Sequence, residues 1–470
     1  MINDNNSSKA LKSGFWYTLS NFIVKAIGLI TTLILARLLT HAEFGIYNNY
    51  TSWLSILTIL ITMQLESTLI SARFDFEKTI DEYILSILVM SAVFSAFGLI
   101  VINVFMIPIS AFTDLKPVYL NIMLIYLMFL PGINFYQIRE RYSFQYKNTV
   151  ISSLVLAVST AGLSVLLVVL MSDKISGRIY GASIPTIVIG IVFYFYFILK
   201  GRHVRFKYWK YALPIALPFI PHLLSMTVLN STDRIMINKI CGPEDAALYS
   251  MAYTCGSLIT ILLVSINGAF APWLGNKLHE NKLEDIRKFS RYYIFGFCIF
   301  ALGIMLISPE ILLIIGGKSY LEARYVMTPV TMGCVCQFLY TMFVNIEQFK
   351  KKTVGMAIAS AIAAITNFGL NNLFIPRFGY LAAAYTTLAG YFLLLIMHMF
   401  LVYRLNFAKA YSYKLVLLSV AVGCICMGII TFLYDYTIAR YIVFLIYLIA
   451  VIIVFCKYKS LLIGLWKNKG

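Results

Sequence analysis

Charge is what this chain has least of. Only 12% of its 470 residues are Asp, Glu, Lys or Arg, about half the share of a soluble domain, which excludes an ordinary soluble globular protein. Long polar connections are also missing: none exceeds about twenty residues, so there is no room for a soluble catalytic domain. The five histidines are scattered without zinc spacing, and no metal centre is expected. The eight cysteines fall mostly within apolar stretches. Cys334 and Cys336, like Cys424 and Cys426, are two positions apart and would point to different sides of a helix, so they read as small core residues. The polar first segment carries Lys9 and Lys12, and no small-residue cleavage site follows a short apolar core, so the first helix is expected to be retained. Nothing in this inventory points to catalysis, and no catalytic residue is assigned.

What is abundant is apolar: 60% of the residues are hydrophobic. They fall into fourteen runs near 15–36, 47–71, 83–107, 117–138, 148–171, 178–199, 211–233, 246–274, 292–315, 325–346, 354–375, 380–403, 413–434 and 438–456, each roughly the 20 residues that a membrane-spanning helix needs. With the N-terminus in the cytosol, the cytosolic segments carry the large majority of the 38 Lys and Arg, while the 20 acids divide evenly. This is the positive-inside pattern, and it places both termini in the cytosol. The net charge of +18 is therefore topology and gives no reason to invoke nucleic acid. The basic runs at 200–210 and 350–352 read as a solvated cytosolic face that can also grip anionic lipid heads.

The chain writes one segment twice. ARLLTHAEFGIYNNY at 36–50 and DRIMINKICGPEDAALYS at 233–250 each run from Arg through a turn and an acid to a small residue and Tyr. Arg37 and Arg234 are 197 positions apart, and Tyr47 and Tyr249 are 202 apart. GRIYGASIPTIVIG at 177–190 pairs with GYLAAAYTTLAG at 379–390, and NFYQ at 134–137 with NIEQ at 345–348. Spans 1–6 thus match spans 7–12, and an even number of spans per half makes the repeat parallel. The expected architecture is an all-α polytopic membrane protein of fourteen transmembrane helices: a lobe over 1–205, a second lobe over 206–405 and a C-terminal helix pair over 406–470.

A transporter built this way holds its site between related halves, so the polar residues inside the spans are the candidates. In span 1, Thr18, Asn21, Lys25, Gly28 and Thr32 form one stripe, with Lys25 midway along the helix. A lysine at that depth costs about 2.5–3.5 kcal/mol unless it faces a cavity or a partner; Glu66 of span 2 is the alternative partner. In span 7, His222 occupies the position equivalent to Lys25, 197 residues on, after Pro214, Pro218 and Pro221, which should bend the helix. Arg37 and Arg234 sit at the outer ends of spans 1 and 7, suited to a phosphate or to anchoring. The central-cavity set is Lys25, His222, Asn21, Arg37 and Arg234. Glu66 and His222 are the groups able to couple transport to a proton or sodium gradient. No cofactor is expected.

ARLLTHAEFGIYNNY, STDRIMINKICGPEDAALYSMAYTCGSLITILLVSINGAFAPW and IPRFGYLAAAYTTLAGYFLLL resemble the polysaccharide-export flippases of the MOP (MATE-like) superfamily, and within it the Wzx-type oligosaccharide flippases. The resemblance covers essentially the whole chain. It implies a V-shaped transporter in the bacterial plasma membrane with a cationic cavity between two lobes. The implied cargo is an undecaprenyl-diphosphate-linked oligosaccharide, such as an O-antigen or capsular repeat unit, moved from the cytosolic to the outer leaflet by alternating access. Implied partners are membrane lipids and the polymerase and glycosyltransferases of the same pathway. Lys25 and His222 match the expected cations by position; other intramembrane cations of the family have no obvious counterpart here. A murein lipid-precursor flippase and a multidrug-type exporter of the same superfamily are the alternatives, though the latter has twelve spans. A membrane polysaccharide polymerase would need an outer loop or domain that is absent from this sequence.

Overall fold

A computed structural model describes residues 4–142, 145–217, 219–350 and 352–467. Among them every regular element is a helix, as a bilayer requires of segments that must satisfy their own backbone groups. Eleven helices are long and apolar enough to cross a membrane, and Thr437–Ile453 is a shorter apolar one. This is a multi-pass membrane protein.

The remaining expected spans, 2 and 7, are interrupted. Span 2 begins as α2 (His41–Thr62), breaks at Met63 and Gln64, both with φ near +50°, and continues as a 3-10 turn over Leu65–Thr68 and α3 (Leu69–Asp75). Two successive non-glycine residues in the left-handed region cost energy that the surrounding packing must supply. Span 7 is divided into α9 (Phe206–Ala216) and α10 (Phe219–Ile240), with Pro214 inside α9 and Pro221 in the first turns of α10. Span 8 is likewise split into α11 (Pro243–Gly256) and α12 (Ile259–His279). The polar residues carried by these spans dilute their apolar runs.

The chain packs as two compact units. One comprises Met1–Ser250 with Ser360–Tyr380, the other Met251–Ala359 with Leu381–Gly470. In the first unit, α1 (Asp4–Leu38) packs on α7 (Tyr146–Leu170), and α7 and α6 (Pro117–Tyr142) both pack on α8 (Lys174–Gly201). The α7–α8 contact is close because Gly181 has no side chain: a Cβ there would stand 2.3 Å from Ser164 Cα. Small residues of this kind drive helix association in lipid.

Both copies of the repeated segment stop one helix and start another. Thr40 and Glu43 form a reciprocal capping box at the start of α2, with Thr40 N donating to Glu43 Oε2 at 2.8 Å. In the second copy, Gly242 at φ +100° ends α10, and Glu244 and Asp245 lie in the first turn of α11. The copies also meet. A Cβ on Gly45 would lie 1.7 Å from the Pro243 carbonyl oxygen, so α2 sits directly against the start of α11.

In the second unit, α12, α13 (Leu283–Leu306) and α18 (Tyr413–Leu433) surround the deeply buried α15 (Arg324–Phe349). The helix α19 (Thr437–Lys467) is fastened by Arg440, which donates to Glu310 at 2.5 and 2.6 Å and to the Leu306 carbonyl at 2.8 Å.

Candidate functional site

The first unit carries an open cavity of about 500 Å³ whose lining includes a cluster of polar side chains. Its walls come from five helices: Asn21, Gly28 and Thr31 of α1, Tyr47 of α2, Tyr126 and Gln137 of α6, Ser153 and Thr160 of α7, and Arg178 and Thr186 of α8. The threonines bond back to their own helices, Thr31 to Ile27 O at 2.7 Å and Thr160 to Leu156 O at 2.8 Å. Their hydroxyls therefore remain acceptors on the cavity side. The amides of Asn21 and Gln137 and the guanidinium of Arg178 bring N–H donors to the same lining.

Arg178 is the cation of this cavity. The close α7–α8 packing at Gly181 brings it to Ser164, whose Oγ accepts from Nη1 at 2.6 Å. Its guanidinium carbon lies 4.3 Å from the centre of the Tyr47 ring. The stack and the single bond orient the planar group and leave most of its five N–H donors available. Such a fork matches the geometry of a phosphate or a carboxylate. Tyr47 belongs to the repeated segment; its counterpart Tyr249 instead donates to the buried Asp233 Oδ2 at 2.7 Å. The repeated tyrosine thus serves a cation in one copy and a carboxylate in the other.

The carboxylate is the centre of a second polar cluster in the same unit. Asp233 Oδ1 accepts from Asn371 Nδ2 at 2.6 Å, and Asn371 also reaches Asn367 Oδ1 at 3.3 Å. All three residues are buried. Donors from two helices, Tyr249 and Asn371, meet the two oxygens of a carboxyl group that the membrane interior would otherwise penalise.

A third arrangement lies at the break in span 2. Glu66, in the 3-10 turn, accepts from Asn134 Nδ2 at 3.3 Å, while its other oxygen is buried without a hydrogen-bond partner among the described residues. The pseudo-equivalent motif in the second unit repeats the contact with a neutral acceptor: Asn345 Nδ2 donates to Asn267 Oδ1 at 2.8 Å.

Of the residues singled out from sequence, Asn21 lines the cavity. Lys25 is exposed on α1, one turn beyond Asn21 and on the same helical face. No ion pair joins it to Glu66 among the described residues. Arg37 is exposed at the end of α1. Arg234 is half-buried, with Nη1 donating to the Asn230 carbonyl at 3.2 Å. His222 lies on α10, but its side chain is outside the described part of the structure. Arg178 is not among the residues expected from sequence; it falls in the repeat segment GRIYGASIPTIVIG, where a lone arginine among small residues is the signal.

Residues 10–279 match the model of the family described as polysaccharide biosynthesis protein. The chain belongs to that family. Residues 218–373 also match the model named MatE. Among curated proteins, the chain is 22% identical over 205 residues to Lsg locus putative protein 1 of Haemophilus influenzae, covering 41% of this chain and 50% of that protein. An uncharacterized membrane protein of the same organism is 20% identical over 221 residues, 45% of this chain and 54% of its own length. The chain spans about half the length of the curated relatives it matches. Among solved structures, the lipid II flippase MurJ in an inward closed conformation superposes with a TM-score of 0.68 at 15% identity, covering 95% of this chain and 99% of that one. An inward-facing multidrug resistance MATE transporter of the MOP superfamily gives 0.62 at 14% identity, covering 82% and 95%. This member of the polysaccharide biosynthesis family therefore has the MOP/MATE-like fold.

Proposed function

We propose that this protein is a flippase for polyprenyl-diphosphate-linked oligosaccharides, moving undecaprenyl-linked repeat units from the cytosolic to the outer leaflet of a bacterial plasma membrane for surface polysaccharide synthesis. The observation that carries the reading is the cavity with its oriented Arg178, set among the membrane-spanning helices of a polysaccharide biosynthesis family member. A diphosphate cannot cross hydrocarbon unaided, because burying its charge costs far too much. A cavity that offers a guanidinium fork, two amides and a row of hydroxyl acceptors replaces the lost water around the head group and the first sugars. Translocation then needs no bond to be broken, only alternating exposure of the site to the two leaflets.

In this reading Lys25, on the α1 face that also carries Asn21, adds a second positive charge, and both termini face the cytosol. Coupling to a proton or sodium gradient is assigned to Glu66 and His222. Glycosyltransferases and a polymerase supply and consume the cargo. The test is accumulation: deleting the gene should trap undecaprenyl-linked units in the inner leaflet and remove the surface polymer. Normal polymer in the deletion strain would overturn the proposal. A block in cell-wall synthesis instead would point to a murein lipid precursor as the cargo, the reading favoured by the fold likeness to a lipid II flippase.

A further inference from the structure

The polar cavity does not end in a polar wall. Ile27 and Thr31 of α1 and Ala161 of α7 line it, and the same three residues line an apolar seam of about 600 Å³ between α1 and α7. Both volumes fall in the range of ordinary ligand sites. The polarity changes abruptly at the shared residues. Thr31 contributes the one polar side chain of the seam, and its hydroxyl is already bonded to Ile27 O at 2.7 Å. Beyond them, Val158 and Ile30 are more than half exposed. Gly162 opens the floor of the seam: a Cβ built there meets nothing within 4 Å.

We infer that the α1–α7 seam holds the hydrocarbon chain of an amphiphilic anion whose charged head lies in the Arg178 cavity. The inference rests on the flippase reading and adds to it the path of the lipid. A head group in the cavity must remain connected to its chain, and a polyprenyl chain gains nothing from a hydrophilic path. The seam is an apolar route that starts at the cavity wall, so head and chain are each matched without unpairing a buried polar group. An acyl chain of a bulk phospholipid could also fill such a groove, but it would gain nothing from a groove that shares its wall with a cation-bearing cavity.

The test uses the full-length protein in lipid nanodiscs with two probes that share a head and differ in chain: undecaprenyl diphosphate and geranyl diphosphate. The wild type should bind the long-chain probe more tightly. Gly162→Phe, which fills the seam, should weaken long-chain binding at least about fivefold and leave short-chain binding unchanged. Gly296→Phe, at an exposed glycine of α13 in the other unit that also has nothing within 4 Å, should change neither. If Gly162→Phe does not fold, Gly162→Leu carries the same comparison, with melting temperature as the control. Unchanged long-chain affinity in a folded Gly162 variant would overturn the seam as the chain site and leave the flippase reading standing. Equal wild-type affinity for the two probes would do the same, because the chain would then add nothing. Failure of the wild type to bind either diphosphate would remove the flippase reading, and this inference with it.

Discussion

Asn134 donates to Glu66 across 3.3 Å at the point where span 2 breaks, and Asn345 makes the corresponding bond to Asn267 at 2.8 Å in the other half of the repeat. The clasp therefore works with a neutral acceptor as well as with a carboxyl group. Glu66→Gln should keep the clasp, with stability within about 1 kcal/mol of wild type, whereas Glu66→Ala strands the Asn134 amide and should cost about 1–3 kcal/mol. Because Gln cannot titrate, the proposed coupling through Glu66 predicts that the folded Glu66→Gln protein transports independently of an imposed proton gradient. Transport assays in vesicles with and without the gradient check this, and an unaltered dependence would return Glu66 to a purely structural role.

Arg178 offers a sharper test of cargo recognition. Its bonds to a phosphate would be charge-assisted, worth about 1.5–3 kcal/mol. Arg178→Ala should therefore weaken undecaprenyl diphosphate binding by about 10- to 100-fold. Arg178→Lys should recover only part, since a lysine keeps the charge but loses the planar stack on Tyr47. Lys25→Ala should also reduce export strongly, with Lys25→Arg partly tolerated. Full export by Lys25→Ala at normal protein level would remove Lys25 from the site.

Gly45→Ala probes the contact between the two copies of the repeated segment. The new methyl would collide with the rigid Pro243 carbonyl, so α2 or α11 must move. The expected loss is about 1–3 kcal/mol, as for other overpacked contacts, read as a lower melting temperature in detergent. Gly296→Ala, in open space on α13, should be neutral or stabilising by up to about 1 kcal/mol. Equal melting temperatures for the two variants would contradict the close packing.

Much of this architecture was legible because a bilayer imposes simple demands. Runs of about 20 apolar residues mark spans, and the shared offset near 200 exposed the repeat. The breaks were less legible. Met63 and Gln64 adopt left-handed backbone without being glycine, so only tertiary packing could have revealed the turn between them. Site partners were hidden for a similar reason. Asp233 and Asn371 are 138 positions apart, and Ser164 reaches Arg178 only through the contact that Gly181 allows. Sequence periodicity reports which face of a helix is polar; it does not report which other helix that face meets.

The N-terminal cap of α8 gives a pH prediction. Asp173 is its N-cap: its carboxylate accepts from Ser176 N at 3.2 Å and Ser176 Oγ at 2.8 Å, with Lys116 Nζ at 3.5 Å. Partial burial works against the charge, but the Ser176 bonds and Lys116 outweigh it and hold the carboxyl below the ordinary aspartate value of 3.8. A depressed folded value means that the stabilisation is fully present above 3.8 and is lost as pH falls from there through the folded value. Asp173→Ala should cost about 0.5–2 kcal/mol near neutrality. The gap to wild type should stay constant down to about pH 5 and close only in strong acid. A gap that closes between pH 5 and 7 would be the wrong sign for this cap.

The second unit contains a buried histidine–carboxyl pair. His398 Nδ1 lies 2.8 Å from Glu347 Oε1, with the side chains 2% and 1% exposed, and Tyr340 stacks on the imidazole at 5.5 Å. The other carboxyl oxygen of Glu347 is buried without a hydrogen-bond partner among the described residues. Such a pair is tolerated because each group compensates the other, not because the pair outperforms hydrocarbon. Removing one partner should therefore be costly: His398→Leu or Glu347→Leu alone is expected to lose about 3–5 kcal/mol. The double variant leaves no orphaned polar group, so it should be more stable than either single variant and should approach wild type. Chemical denaturation or thermal melting of the four proteins gives the cycle directly. If the losses of the two single variants simply add in the double, the groups do not compensate one another.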